Sequence, residues 1–570
     1  MGCIYVIFSY TCSILDGVVM TSKVQALQMV IYKKPTDDIT DPKAKIQSRQ
    51  TEEIILAVCG YVGAGVSNVA ATLGTAFAGF GYDVCSLKVS DIIRDICGIQ
   101  KPAEKSYKYI VELQDRGNEL RKKYKDNSYL AQCIIEKISR SRVNGRNADE
   151  VSIPESRRRI TIIDSLKHPE EYELLSLIYG EMFFLVGVIC PDDKRRERLI
   201  NIGFSRSDVE KCIARDRKQS EAGGQNTAET LFLSDFFVDN ANDTENSNKE
   251  QLERFVEIVM GKRSHSPTND EYAMYCAHAT ALRSGCLSRQ VGASILKDGV
   301  LIATGRNDVP KNCGGLYCED NTKDDHRCLK LNPPECKSDN KKKRLIAEIS
   351  GSVHENWKES KESLIEKIVS QIAELPQQQK TVLIEKIKQQ LSSNIEEEDF
   401  KIAEKIYKSI SSNVMIKSLV EYSRAVHAEM DAITSVARTG GISLKGATLY
   451  CTTFPCHHCA RHILSSGIKQ VIYIEPYDKS LAFELHKDSI AVDVSPTTET
   501  KKLHMDHFKG VAPKRYASLF RYDTRKNKSG RRLECDQNES KPYLQKLMDS
   551  FIDYELKVVD LKNEHEHNKG

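Results

Sequence analysis

The sequence carries one tryptophan in 570 residues and almost no net charge: 83 Lys and Arg stand against 80 Asp and Glu, a balance of +3. That balance excludes a protein that coats nucleic acid with basic surface, while leaving room for a local basic groove. There is no internal repeat. Beyond the first twenty residues no apolar run is long enough to span a bilayer, so no membrane partner is expected. The opening run, MGCIYVIFSYTCSILDGVVM, lacks the basic segment of a signal peptide, holds Asp16 and is short for a spanning helix. Val6 stands where a myristoylation signal has Ser or Thr. A start codon placed too early, with Met20 or Met29 as the first residue, accounts for the run equally well. The 18 cysteines are too dilute for a secreted disulfide scaffold. Cys59 and Cys190 lie in apolar runs, where a reduced thiol acts as a small hydrophobe, and others cluster with histidines. The expected compartment is a reducing cytoplasm.

What is present is an ordinary globular composition, 40% hydrophobic and 29% charged, long enough for two or more domains. Residues 1–51 read as an extension and linker. An apolar run (Ile54–Val58), a Gly-rich turn, a small-residue helix and a second apolar run (Val84–Val89) follow. This is the opening of a parallel α/β domain. RRITIIDSL, MFFLVGVICP and LSDFFVDN read as further strands, then a helix over about 249–261, so the first domain covers 52–262. A polar stretch leads into a second domain, 268–522. Asp298-Gly299 there joins two strands as a hairpin dipeptide. A helical insertion over about 338–420 follows a Cys-rich loop and contains a Lys run at 341–343. Leu364, Ile368, Ile372 and Leu375 fall on one helical face, and Leu383, Ile387 and Leu391 on another after Pro376, which predicts a helical hairpin. Residues 523–570 are a charged tail. Leu544, Leu547, Met548 and Phe551 have helical spacing there, as an ordinary docking face would.

VHAEMDAI contains H-x-E, and FPCHHCARHIL, about thirty residues on, contains P-C-x-x-C. A catalytic zinc takes three protein ligands and keeps a position for water. His427, Cys456 and Cys459 supply an imidazole and two thiolates. The cysteines are three apart, so at a helix start both sulfurs face one way, and the positive helix N-terminus favours thiolate. Glu429, two past His427, is the proton shuttle rather than a ligand. A closed structural site with His458 as fourth ligand would need neither that glutamate nor Pro455.

With these motifs, and with RQVGASI, DGVLIATGRNDVP and QVIYIEPYDKS, the sequence resembles the zinc-dependent cytidine deaminases, and among them the deoxycytidylate deaminase branch. The resemblance covers about 270–335 and 420–520. It implies an α/β/α sandwich, Asn307 against the sugar, the backbone at Ala428 against the base edge, and Tyr477 near base or phosphate. It also implies a homo-oligomer. Asp431 departs from the family, which more often has Asn there.

GYVGAGVS (60–67) fits G-x-x-x-x-G-x-S between strand and helix, the context of a P-loop. Gly60, Gly63 and Gly65 would let backbone N–H groups cradle phosphates; Ser67 and Asp164 are the candidate Mg²⁺ partners. Val66 replaces the phosphate-binding lysine, so phosphoryl transfer is not expected, and the loop reads as a site for a regulatory nucleotide. The combination resembles the bacterial anti-phage dCTP deaminases over about 52–522, also through IDSLKHPEEY, EPYDKSLAFELHKDSI and FKGVAPKRYASLF. That resemblance implies hydrolysis of dCTP, dCMP or both to deoxyuridine nucleotides, depleting the cytosine nucleotide pool during infection. Cys313, Cys318, Cys328 and Cys336 form a further candidate zinc set, although their spacing matches no standard module. Two other classes stay open: a cytosine deaminase acting on single-stranded nucleic acid, which needs a basic aromatic groove, and a nucleotide sensor built on a deaminase scaffold.

Overall fold

The computed structural model describes residues 41–567 apart from 104–105, 144–155, 218, 220–222, 242–244, 321–323, 371–380, 383–384, 387–400, 413–421, 478, 494–500 and 538–539. The opening apolar run and most of the expected helical hairpin therefore lie outside the described residues. No helix among those described is long and apolar enough to cross a membrane.

The chain is α/β, with two six-stranded sheets. In the first, β1 (Ile54–Gly60) is buried at every position, as is β4 (Phe183–Ile189). Continuous burial is what a strand covered on both faces requires, and it is why these segments read as unbroken apolar runs. β1 pairs in parallel with β3 (Arg159–Asp164) on one side and with β4 on the other. β2 (Asp83–Lys88) and β5 (Phe236–Asp239) lie outside them. The second apolar run thus becomes a half-exposed edge strand. The direction of winding reverses around β1, the place where doubly wound sheets leave a crevice. Helix α1 (Val66–Ala78) starts there. Val69, Leu73 and Phe77 of α1 pack on one face of the sheet, with Phe255 of α6 (Glu245–Val259). On the other face lie α2 (Tyr129–Val143) and α3 (Pro169–Tyr179). Helices α4 (Asp192–Asn201) and α5 (Arg206–Arg217) follow β4.

The second sheet runs β10 (Ile490–Val492), β11 (Leu503–His507), β9 (Gln470–Glu475), β8 (Thr448–Thr453), β6 (Gly292–Lys297), β7 (Val300–Arg306). The first four are mutually parallel; β6 and β7 form the antiparallel hairpin. Asp298 and Gly299 at its tip have φ of 50° and 78°, the left-handed pair that a two-residue hairpin demands. Helix α7 (Asn269–Ala281) covers one face; α9 (Ala428–Thr439) and α10 (His457–Ser465) cover the other. The insertion begins with α8 (Lys337–Ser370).

The chain then returns to the first sheet. β12 (Gly510–Val511) pairs antiparallel with β5, followed by α11 (Pro513–Phe520). The tail ends in α12 (Met548–His567), whose Met548, Phe551 and Ile552 are buried in the same core as α2 and α3. Glu271 ties the crossing together. It is fully buried, binds Arg254 of α6 with both oxygens at 2.8 Å, and accepts from the backbone N–H groups of Thr268 and Val511. Glu271→Ala should strand the Arg254 charge and two N–H groups. We expect a loss of roughly 3 kcal/mol, read as a lower urea midpoint at unchanged slope.

Candidate active site

His427 and Cys456 each occupy the capping position that starts a helix, α9 and α10 respectively. Pro455 fixes the approach to the second cap, and Cys459 follows one turn later. The sulfurs of Cys456 and Cys459 lie 3.3 and 3.4 Å from His427 Nδ1, and all three ligand atoms fall within 4.8 Å of one another. Tetrahedral zinc bonded at ordinary lengths to one imidazole and two thiolates separates nitrogen from sulfur by about 3.5 Å. The donor set and its spacing therefore fit zinc. Among the described residues no other group of three candidate metal ligands comes together.

The electrostatics agree. The Cys456 thiol is pulled down to about 3 by hydrogen bonding from Cys459 and then His427. His427 is pushed up to about 9, chiefly by Cys456 and against the effect of burial. Cys459 is driven well above its ordinary range as donor to Cys456 in a buried setting. Protons shared among three ligand atoms are what a metal ion displaces. Glu429, in the first turn of α9, is 4% exposed, and burial pushes its carboxyl up against the pull of His427. A buried carboxyl whose protonated form is favoured in this way is suited to accept a proton and hand it on.

Glycine allows α9 to reach this position. A Cβ at Gly305 of β7 would sit 2.2 Å from the Ala428 carbonyl and 2.4 Å from the Ala432 nitrogen. Asp431 accepts from the Arg306 N–H at 3.1 Å, which locks helix to strand. This answers what the unusual aspartate does: it bonds backbone. Asn307 comes next, and both ends of its amide are used. Its oxygen accepts from Val291 N–H (2.7 Å), and its nitrogen donates to the Arg289 carbonyl (2.8 Å). Asn307, Ala428 and the half-buried Tyr477 all line one cavity of about 200 Å³ with His427, Glu429 and Cys456. The same cavity is lined by residues that the motifs do not mark: Arg289, Phe454, Arg424, and Lys337, Ser338 and Lys342 of α8. Only the Lys run offered a signal for these, and a Lys run ordinarily reads as solvated surface.

The remaining sites fare differently. Cys313 is exposed, Cys318 bonds Asp320, and Cys328 and Cys336 line the catalytic cavity; the four do not assemble into a second metal cluster among the described residues. Two of the four face the cavity and the other two lie outside its lining, so they do not share one place. In the first domain Gly63 and Gly65 both have φ of 82°. The Val62 N–H donates to the buried Asp216 at 2.7 Å, and Lys167 bridges Asp216 and the Gly60 carbonyl. Arg195 donates to the Val62 carbonyl and Asn240 to that of Ala64. Ser67 donates to Asp164 at 2.7 Å, with Lys88 at 3.6 Å from the same carboxylate. Those mutual contacts use the groups expected to meet Mg²⁺, and no three-ligand set forms there among the described residues.

Comparison with known proteins agrees with the metal centre. Residues 377–475 match the cytidine and deoxycytidylate deaminase zinc-binding region. That segment holds all three ligands and Glu429. The deoxycytidylate deaminases of Enterobacteria phages T2 and T4 are 27% and 28% identical over 213 residues, covering 36% of this chain and 78% and 76% of theirs. The solved dCMP deaminase of cyanophage S-TIM5 is 15% identical, with 43% of this chain and 99% of that one covered, at a TM-score of 0.20.

Cys456→Ser and Cys459→Ser should each purify with far less than the one zinc per chain expected of the parent, by elemental analysis. Glu429→Ala should keep its zinc.

Proposed function

We propose that this chain hydrolytically deaminates free deoxycytidine nucleotides, dCMP, dCTP or both, to the deoxyuridine forms. The observation that carries the reading is the buried Glu429 beside three side chains that fit zinc, lining with His427 and Cys456 a cavity of about 200 Å³, large enough for a pyrimidine ring. Bound zinc supplies a water acidified to near neutrality. With zinc held by His427, Cys456 and Cys459, Glu429 would be the group that moves one proton of a water molecule to the ring nitrogen and the second to the departing amine. Water and the aminopyrimidine become the oxo-pyrimidine and ammonia, with no other reactant needed. Phe454 and Tyr477 give the ring apolar walls. Asn307, held by two backbone contacts, presents a fixed edge to the sugar. The names of the phage relatives support deoxycytidylate as the substrate class.

The first domain fits a regulatory role better than a catalytic one. Its Gly-rich turn lies at the sheet's switch point, but Val66 supplies no charge and Asp216 holds the loop from beneath. The resemblance to anti-phage dCTP deaminases supports a role in depleting the cytosine nucleotide pool of infected cells. Expression of the parent chain, and not of Glu429→Ala, should then lower cellular dCTP and phage yield.

Purified protein given dCMP, dCTP, CTP and a cytosine-containing single strand should release ammonia from the free deoxynucleotides. Glu429→Ala should lower kcat by about 10²- to 10⁴-fold with zinc retained. Release from the strand alone would replace this reading with a nucleic-acid editor, and no release at all would favour a sensor.

A further inference from the structure

We propose that the crevice between the two sheets is a second ligand site, for a nucleoside or base without a phosphate chain, and that its occupant tunes substrate binding through two side chains shared with the catalytic cavity. The proposal rests on the reading of the catalytic cavity as a site for free deoxycytidine nucleotides, and it names where the first domain exerts its regulation.

The place follows from the topology. In a doubly wound sheet, ligands bind outside the carboxyl ends of the strands, where the winding reverses. Here those ends belong to β1 and β4. Tyr61 directly follows β1, Pro191 and Arg195 follow β4, and all three line a cavity of about 590 Å³. The second sheet contributes to the same lining, again at carboxyl ends: Pro476 just past β9, Asp493 just past β10, and His507, the last residue of β11. Small-molecule pockets favour such boundaries and measure about 300 to 1,000 Å³.

The lining selects the ligand. Tyr61, Phe454, Tyr473, Tyr477, Phe483 and His507 all contribute rings, and such walls suit a flat ring. Charge argues against a phosphate chain: Arg195 and Arg217 stand against Asp192, Asp193 and Asp493 in the lining. Burial lowers His507 and so favours its neutral form. Arg195 is already matched by Asp192 at 2.6 Å. It is 3% exposed, lies 4.6 Å over the Tyr61 ring and donates to the Val62 carbonyl. Its buried Nη2 has no hydrogen-bond partner among the described residues. A carbonyl oxygen of a base is the kind of acceptor that satisfies such a donor.

Coupling follows from shared lining. Phe454 and Tyr477 belong to this cavity and to the catalytic one. The Phe454 ring meets Tyr473 edge-on at 4.9 Å, and its N–H donates to the Glu475 carbonyl at 2.7 Å. A ring seated among these side chains therefore bears on two residues of the substrate cavity without touching the proton shuttle.

The test uses the full, zinc-loaded protein, with guanosine, adenosine, thymidine and uridine as probes, each beside its 5′-triphosphate. Binding is measured by calorimetry to Glu429→Ala, with and without saturating dCMP. At least one nucleoside should bind together with dCMP, and its triphosphate roughly tenfold more weakly. The probe should change the Kd of dCMP by about fivefold or more, and dCMP should change the Kd of the probe by the same factor, because coupling between two sites is reciprocal. The parent's KM for dCMP should shift in the same direction. Tyr61 lines this cavity and not the catalytic one, so Tyr61→Ala should weaken the probe by roughly tenfold with zinc retained. If the urea midpoint shows that this variant has not folded, Val492→Trp, which fills the cavity from β10, takes its place and should block the probe. A probe that dCMP displaces and that neither variant weakens sits in the catalytic cavity and overturns the second site. So do tighter binding of the triphosphate, binding that shifts neither affinity, and no binding by any of the four. Binding with the mutual shift in a parent that deaminates no free nucleotide overturns the deaminase reading and leaves the second site standing.

Discussion

Two helices begin face to face, and the chemistry of the second sheet depends on that meeting. His427 caps α9 and Cys456 caps α10, so an imidazole and a thiolate occupy the positive ends of two helices at once. Each helix end favours the anionic form of a nearby group, and a thiolate is the form that binds metal. The meeting has a packing cost that small residues remove. Ala428, Ala432 and Ala460 are fully buried between helices and sheet, and Gly305 leaves α9 in near-backbone contact with β7. Larger residues at these places would lift α9 and carry His427 and Glu429 away from the cysteines together.

The two sheets are less separate than their sequences suggest. Val511 closes the edge of the first sheet, although it follows the last strands of the second. One hydrophobic core contains Ile55 and Phe183 of the first sheet, Tyr450 and Ile472 of the second, and Phe551 of the tail. The Gly-rich turn is fastened in the same manner, with Asp216, Arg195 and Asn240 each bonding its backbone. A lysine in the loop itself would have met phosphate; Lys167, from the far side of β3, instead holds the loop through Asp216.

Much of this was legible in the sequence. Apolar runs gave β1, β3, β4 and β5, because strands covered on both faces must be apolar throughout. H-x-E and P-C-x-x-C gave the metal centre, because ligand geometry fixes spacing within a helix turn. Asn307, Ala428 and Tyr477 were expected to contact substrate on a resemblance rather than on any local rule, and they line one cavity with the metal centre. The two lysines of α8 were not legible. Their place in the cavity lining depends on where a helix from the insertion lands, and no spacing in the chain encodes that. The four loop cysteines misled for the same reason: shared sequence neighbourhood is not shared space. Asp164 and Ser67 were expected to face a cation; the structure brings them together, with Ser67 donating to Asp164.

The cavity's charges are also ordered in a way that the reaction requires. A proton shuttle must be able to take up a proton, and burial raises the Glu429 carboxyl in that direction. A guanidinium placed beside it would hold the carboxylate charged and take that capacity away. Asp308, buried next to Asn307, lies 3.6 and 3.9 Å from Arg306 and Arg327, and Asp325 binds Arg327 at 2.6 Å, so both guanidiniums are held by carboxylates of their own. The lysines and arginines that line the cavity come from the loop before β6 and from the ends of the insertion, so they are set apart in the chain from Glu429 on α9.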